Sequence, residues 1–250
     1  MDFNLRFPLV GSPKHNQLCS ILDNACWGLK RELTELQNLQ SSKSSLKDFS
    51  TKTWKRIAYK IKRNIAESYP EIELITSNKA PSSGDYIVVN IQGIDNFEHA
   101  LSNISVSLGL VQEGELNIAI VLDPIEEIIF SAEKGEGANR WTVDGKSKLR
   151  ISQRTECEEL LFSLHVEDVP TACKLIKQKY HTKFRMSGNP IYDLMLLASG
   201  KIDSAIIQEM PKFQISPALL IVKEAVGGII YNSPFIIATN DKHSCLNLDT

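Results

Sequence analysis

The sequence has no Cys-x-x-Cys pair, no internal repeat, no low-complexity tract and no apolar run near the ~18 residues that span a bilayer. Neither sign of charge dominates: 28 Lys and Arg face 30 Asp and Glu, a net −2 over 250 residues. That balance excludes a global pull toward nucleic acid or anionic lipid. The five cysteines, Cys19, Cys26, Cys157, Cys173 and Cys245, are odd in number and scattered. They fit reduced thiols better than a disulfide framework or a zinc site. Met1 to Pro8 shows neither an apolar core nor a cleavage pattern, so no secretory signal is expected and the location expected is cytoplasmic. What remains, 42% hydrophobic and 23% charged, is an ordinary globular composition able to bury a full core.

What is there begins with helical spacing. Leu18, Leu22, Ala25, Leu29, Leu33 and Leu36 recur at steps of three and four, which predicts one helix from His15 to Leu39. A second helix is predicted from Thr51 to Ser68, with Trp54, Ile57, Ala58, Ile61 and Ile65 on one face. Lys52, Lys55, Arg56, Lys60, Lys62 and Arg63 share the other face with no acid among them. The stripe reads either as a solvated helix face or as a surface for nucleic acid or an acidic partner, through Lys52, Arg56, Lys60 and Arg63.

After Tyr69-Pro70 the pattern changes to short strands: Ile72 to Ile75, Tyr86 to Ile91, Ser105 to Val111, Leu116 to Leu122 and Glu127 to Ala132. Turns fall at Glu113-Gly114 and Asp123-Pro124, and Val143-Asp-Gly-Lys146 reads as a hairpin connection. The second half alternates strands with helices. Strands are expected at Leu160 to Val166, Ile202 to Ile207, Ile229 to Tyr231 and Phe235 to Ala238. Helices are expected from Val169 to His181 behind the Asp168 cap, up to Ser199-Gly200, and from Ser216-Pro217 to Ala225. The division predicted is residues 1–150, a helix pair with a large mainly antiparallel sheet, and residues 151–250, a smaller α/β half, in one compact unit.

One stretch carries the chemistry question. Tyr86-Ile-Val-Val-Asn-Ile-Gln-Gly-Ile-Asp-Asn-Phe-Glu-His99 is an apolar strand running into a Gly-centred turn and an Asn-Phe pair. It resembles the signature of the inositol monophosphatase family, a strand ending in Asp-Pro-Ile-Asp-Gly-Thr-Thr-Asn-Phe. Ile91, Gly93, Asn96 and Phe97 hold their places in that frame. Asp123-Pro followed by Gly135-Glu-Gly-Ala agrees in order and spacing, the run ending in Glu224-Ala-x-Gly-Gly228 also agrees, and Ser187-Gly-Asn189 resembles the family's substrate loop loosely. The resemblance covers roughly residues 15 to 240. It implies an αβαβα sandwich of the inositol monophosphatase and sugar phosphatase type, a Mg²⁺-dependent phosphatase activity and frequent homodimers. SuhB-type members of the family also act as RNA-polymerase-associated regulators.

The family's ligands do not survive in this sequence. By spacing, its acidic positions fall on Trp54, Ser77, Val89, Gln92 and Gln214, its first signature Thr on Ile94, and its substrate-facing Glu on Ile207. Val89 and Gln92 are expected at the end of a central strand, with Trp54, Ser77 and Gln214 converging on them. Trp54, Val89, Ile94 and Ile207 should make the old cavity drier, smaller and uncharged. Asp95, Glu98 and His99 beside the loop are the candidate replacement polar set, the alternative being a solvated turn. The leading expectation is a non-catalytic scaffold or regulator with no catalytic residue, no metal and no cofactor. The alternatives are a Mg²⁺-dependent phosphatase with a rearranged site, and a protein that binds a phosphorylated metabolite without turnover.

Overall fold

A computed structural model of the chain describes residues 7, 11–40, 46–76, 84–176, 183–240 and 246. Two helices, α1 (Pro13–Cys26) and α2 (Leu29–Leu39), stand where one was predicted. Trp27 turns extended and Gly28 takes φ 88°, a left-handed conformation that ends the first helix although the leucine stripe continues through it. The next helix, α3 (Leu46–Ser68), begins five residues before the predicted Thr51.

The large sheet runs in the order β1 (Glu73–Ile75), β2 (Tyr86–Gln92), β3 (Ser105–Gln112), β4 (Glu115–Asp123), β5 (Ile128–Glu133), β6 (Ala138–Thr142) and β7 (Gly145–Lys148). Only β1 and β2 are parallel; the rest is a meander. Between β2 and β3 lies the short helix α4 (Ile94–Glu98). β2 is therefore second from an edge, not central as the sequence suggested.

The smaller sheet has the order β11 (Gly228–Asn232), β12 (Phe235–Thr239), β10 (Ser204–Gln208), β8 (Leu161–His165) and β9 (Lys183–Arg185), with β10, β8 and β9 parallel. Helix α5 (Val169–Lys174) follows β8, α6 (Pro190–Ala198) precedes β10 and α7 (Lys212–Glu224) follows it. Three expectations change here. The helix predicted to His181 ends at Lys174, and residues 177–181 of that span lie outside the described residues. The strand β9 was not expected, since three residues carry no readable alternation. Pro217 sits inside α7 rather than at its first turn, its ring buried toward β3, where a side chain at Gly109 would meet it.

Strand alternation builds the layers. Ile118, Ile120 and Leu122 of β4 face α1, α2 and α3 in one core, whereas Ala119 and Val121 face α6 and α7 in a second. In β10, Ala205 and Ile207 close that second core from the other side, and Ile206 packs in a third with α5. The stack is helices, sheet, helices, sheet, helix: the αβαβα arrangement that was expected. Both faces of the meander are thus covered within one chain. Cys157 takes part in a disulfide whose partner lies outside the described residues, so the expectation of reduced thiols throughout fails at that position.

Candidate functional site

β2 delivers its last residues to a tight turn. Gly93 has φ 84°, and a Cβ there would stand 2.3 Å from the Asn103 carbonyl oxygen, so only glycine fits. α4 then starts at once, and its Asn96 is buried. Asn96 Nδ2 donates to the carbonyls of Asn103 and Ser187, both at 2.9 Å. From the other half of the chain, fully buried Asn189 caps α6: its Oδ1 accepts from Ile191 N at 3.0 Å and Tyr192 N at 3.1 Å. Its Nδ2 reaches Ser105 Oγ at 3.1 Å, Asn103 O at 3.2 Å and Gln92 O at 3.4 Å. Two neutral amides thus tie the β2 turn to the start of α6.

Four of the singled-out positions lie around this turn. Val89 and Trp54 share the first core with Phe97, and the Trp54 and Phe97 rings meet edge-on, centroids 5.1 Å apart. Trp54 Nε1 is buried without an acceptor among the described residues, a cost of about 1–3 kcal/mol. Half-buried Gln92 ends the strand, and half-buried Gln214, in the first turn of α7, receives Asn90 Nδ2 on its carbonyl at 3.3 Å. Ser77 lies outside the described residues.

Two positions behave differently. Ile94 was expected to help fill the old cavity, yet it opens α4 with 38% of its surface exposed. Ile207 is buried in the second core, between the sheets, rather than beside Trp54. Of the replacement set, Asp95 and His99 are exposed and Glu98 half-buried; their side chains make no hydrogen bond or ion pair among the described residues.

Beside this turn lies a cleft the sequence did not reveal. β8 leads off through α5 to β9 on one side, and β10 leads off toward β12 and β11 on the other. Such a reversal leaves a crevice beyond the carboxyl ends of the two parallel strands. It is a cavity of about 540 Å³, walled by His165 at the end of β8 and Glu167 after it, by Gln208 at the end of β10 and Glu209 and Met210 after it, and by Met186 and Gly188. Ser187, between the last two, is the residue whose carbonyl Asn96 grips. Burial holds the His165 imidazole below its ordinary pKa, so the ring is neutral at pH 7. Among the described residues, no Lys or Arg lines the cleft.

Two further carboxyls, Asp193 and Asp123, are buried. Burial raises Asp193, in α6, to about 6, and neither of its carboxylate oxygens has a hydrogen-bond partner among the described residues. Asp123 is likewise raised to about 6 by burial, against its bonds from Ile125 N and Glu126 N. Asp203 serves the fold instead. It accepts from Ser152 Oγ, from Arg154 Nε at 2.8 Å and from Leu161 N at 2.8 Å, tying β8 to the loop before it.

Comparison with known proteins agrees with this geometry. The "Fructose-1,6-bisphosphatase/inositol-1-monophosphatase" of Thermotoga maritima is 28% identical over 192 residues, covering 75% of this chain and 73% of the relative. The "Nus factor SuhB" of Escherichia coli K12 is 24% identical over 201 residues, 77% of this chain and 74% of the relative. In fold, the crystal structure of the extragenic suppressor protein SuhB from Bartonella henselae superposes with a TM-score of 0.78 at 20% identity, over 92% of this chain and 95% of that one. The inositol monophosphatase family profile matches residues 15–234, which takes in the large sheet, the smaller sheet except β12, the β2 turn and the cleft, and the chain belongs to that family.

Proposed function

We propose that this chain is a non-catalytic member of its family, a scaffold or regulator that does not use the Mg²⁺ chemistry of its relatives. The observation that carries the reading is the side-chain set around the β2 turn. Mg²⁺ takes hard oxygen ligands in near-octahedral geometry and sheds its water reluctantly. Trp54, Val89, Gln92 and Gln214 offer it an indole, an isopropyl group and two neutral amides. Carboxylates crowded together repel unless a cation sits between them. Their replacement by an apolar contact between Trp54 and Phe97 suits a protein selected for the scaffold alone.

Binding of a phosphorylated metabolite is less well supported. A phosphate needs a cation or a helix N-terminus, and the cleft carries Glu167 and Glu209 with no Lys or Arg among the described residues. A rearranged phosphatase would need Asp95, Glu98 and His99 to converge, and two of the three are exposed on or just after α4. The naming of several relatives as Nus factor SuhB supports a protein of the transcription machinery, of RNA-polymerase type, as the partner class. A homodimer is part of the proposal on family resemblance, with sedimentation at micromolar concentration as its check.

The test of the reading is release of phosphate from inositol monophosphates and fructose 1,6-bisphosphate in millimolar Mg²⁺. The expected result is no release above a buffer control. Turnover that depends on metal and disappears in Asp95→Asn or Glu98→Gln would overturn it in favour of the rearranged site.

A further inference from the structure

The structure points to a second surface, on the outer side of the helix whose inner side carries Trp54: we infer that the exposed face of α3 is a docking strip for single-stranded nucleic acid. The helix carries seven basic residues and two acids, while the chain as a whole is net −2. One side of it is anchored by Trp54, Ile57, Ile61 and Ile65 in the first core. The 3.6-residue period places Lys52, Lys55, Tyr59, Lys62 and Arg63 on the opposite side, over a length of about 16 Å from Lys52 to Arg63.

Much of this charge is uncommitted. Arg56 pairs with Glu32, and Arg63 pairs with Glu67 at 3.5 Å. Lys52, Lys55, Lys60 and Lys62 make no ion pair among the described residues. Asp48, one turn before Lys52, and Glu67, one turn after Arg63, mark the two ends of the acid-free stretch. At its middle stands Tyr59, 65% exposed, a ring that no core needs there.

That combination selects the partner. Lys52, Lys55 and Lys62 suit any polyanion, but an aromatic face among them suits a base. A duplex keeps its bases stacked on one another, whereas a single strand can lay one on the ring. An acidic polypeptide would use the lysines and ignore Tyr59. The assignment does not depend on whether the β2 turn has lost its chemistry.

The experiment is fluorescence anisotropy of a labelled mixed-sequence single-stranded RNA about 20 nucleotides long, with duplex DNA of equal length and poly-glutamate as comparison probes. Single strands bound through Lys52, Lys55 and Lys62 should give a slope of log Kobs against log salt of about −2. The Lys52→Glu/Lys55→Glu/Lys62→Glu variant should weaken RNA binding roughly tenfold or more, and the milder Lys→Gln triple by less. Tyr59→Ala should weaken RNA about fivefold or more while leaving duplex DNA unchanged. All of these side chains are exposed, and circular dichroism will confirm folding of each variant. No RNA binding at about 50 mM salt, or binding indifferent to the charge reversal, overturns the inference. Poly-glutamate binding as tightly as RNA, with Tyr59→Ala neutral, also overturns it and reassigns the strip to an acidic protein.

Discussion

Replacing Asn189 by Ala probes the junction on which the β2 turn depends. The side chain is fully buried, and its oxygen caps two N–H groups of α6 while its amide reaches three acceptors. Loss of an Asn cap costs about 1 kcal/mol, within a range of roughly 0.5–2. Asn103 O keeps its bond from Asn96, so the stranded groups are Ser105 Oγ and, more weakly, Gln92 O. One buried polar group left unpaired adds about 1–3 kcal/mol. The sum is about 3 kcal/mol, which in a chain of this size lowers Tm by about 6–12 °C. Urea unfolding should show a lower midpoint at unchanged m-value. Asn189→Asp separates the two roles, because it keeps the cap oxygen and loses both amide hydrogens. It should be at least as destabilising as Ala at neutral pH and recover as the pH falls, since protonation restores one donor. A loss under about 1 kcal/mol for Asn189→Ala would refute the view that this amide holds the two halves together.

Three other outcomes follow from the same geometry. Gly93→Ala should cost about 3 kcal/mol or more in urea unfolding, because the left-handed φ and the 2.3 Å approach to Asn103 O penalise any Cβ. Asp193 has a folded pKa of about 6 against an ordinary 3.8, so its contribution to stability is full below pH 3.8 and is lost as pH rises through 6. Asp193→Asn should therefore remove up to about 3 kcal/mol of the stability decline between pH 4 and 7, read from melts across that range. Trp54→Asp, which restores the family's residue type, should lose about 4 kcal/mol or more by burying a carboxylate against Val89 and Phe97, visible as a collapsed urea midpoint.

The sequence made the layers and the β2 turn readable because both rest on local signals. Alternation marks β2 to β5, and the Gly93-x-x-Asn96-Phe97 frame marks the turn. Asn189 was hidden for a physical reason: its partners Asn103 and Gln92 lie 86 and 97 residues away, and nothing near Pro190 records them. The cleft was hidden too, since it is made by β8 and β10 lying side by side, a property of strand order rather than of any motif. Ile94 misled because its neighbours in the frame, Asn96 and Phe97, are buried, and an apolar residue between glycine and a buried pair reads as core. Trp27-Gly28 misled in the opposite sense: the leucine period runs through a break that two backbone angles impose.

The most direct test of the central claim is a thermal melt of the purified protein titrated with Mg²⁺ to tens of millimolar, beside NaCl at matched ionic strength. A ligand that binds only the folded state adds about 2.7 kcal/mol at a hundredfold excess over Kd, which here would raise Tm by about 5–10 °C. The Mg²⁺ and NaCl curves are expected to coincide, because the neutral side chains of Trp54, Val89, Gln92 and Gln214 offer no carboxylate to the ion. A saturable rise in Tm with Mg²⁺ that NaCl does not reproduce would contradict the loss of the metal site.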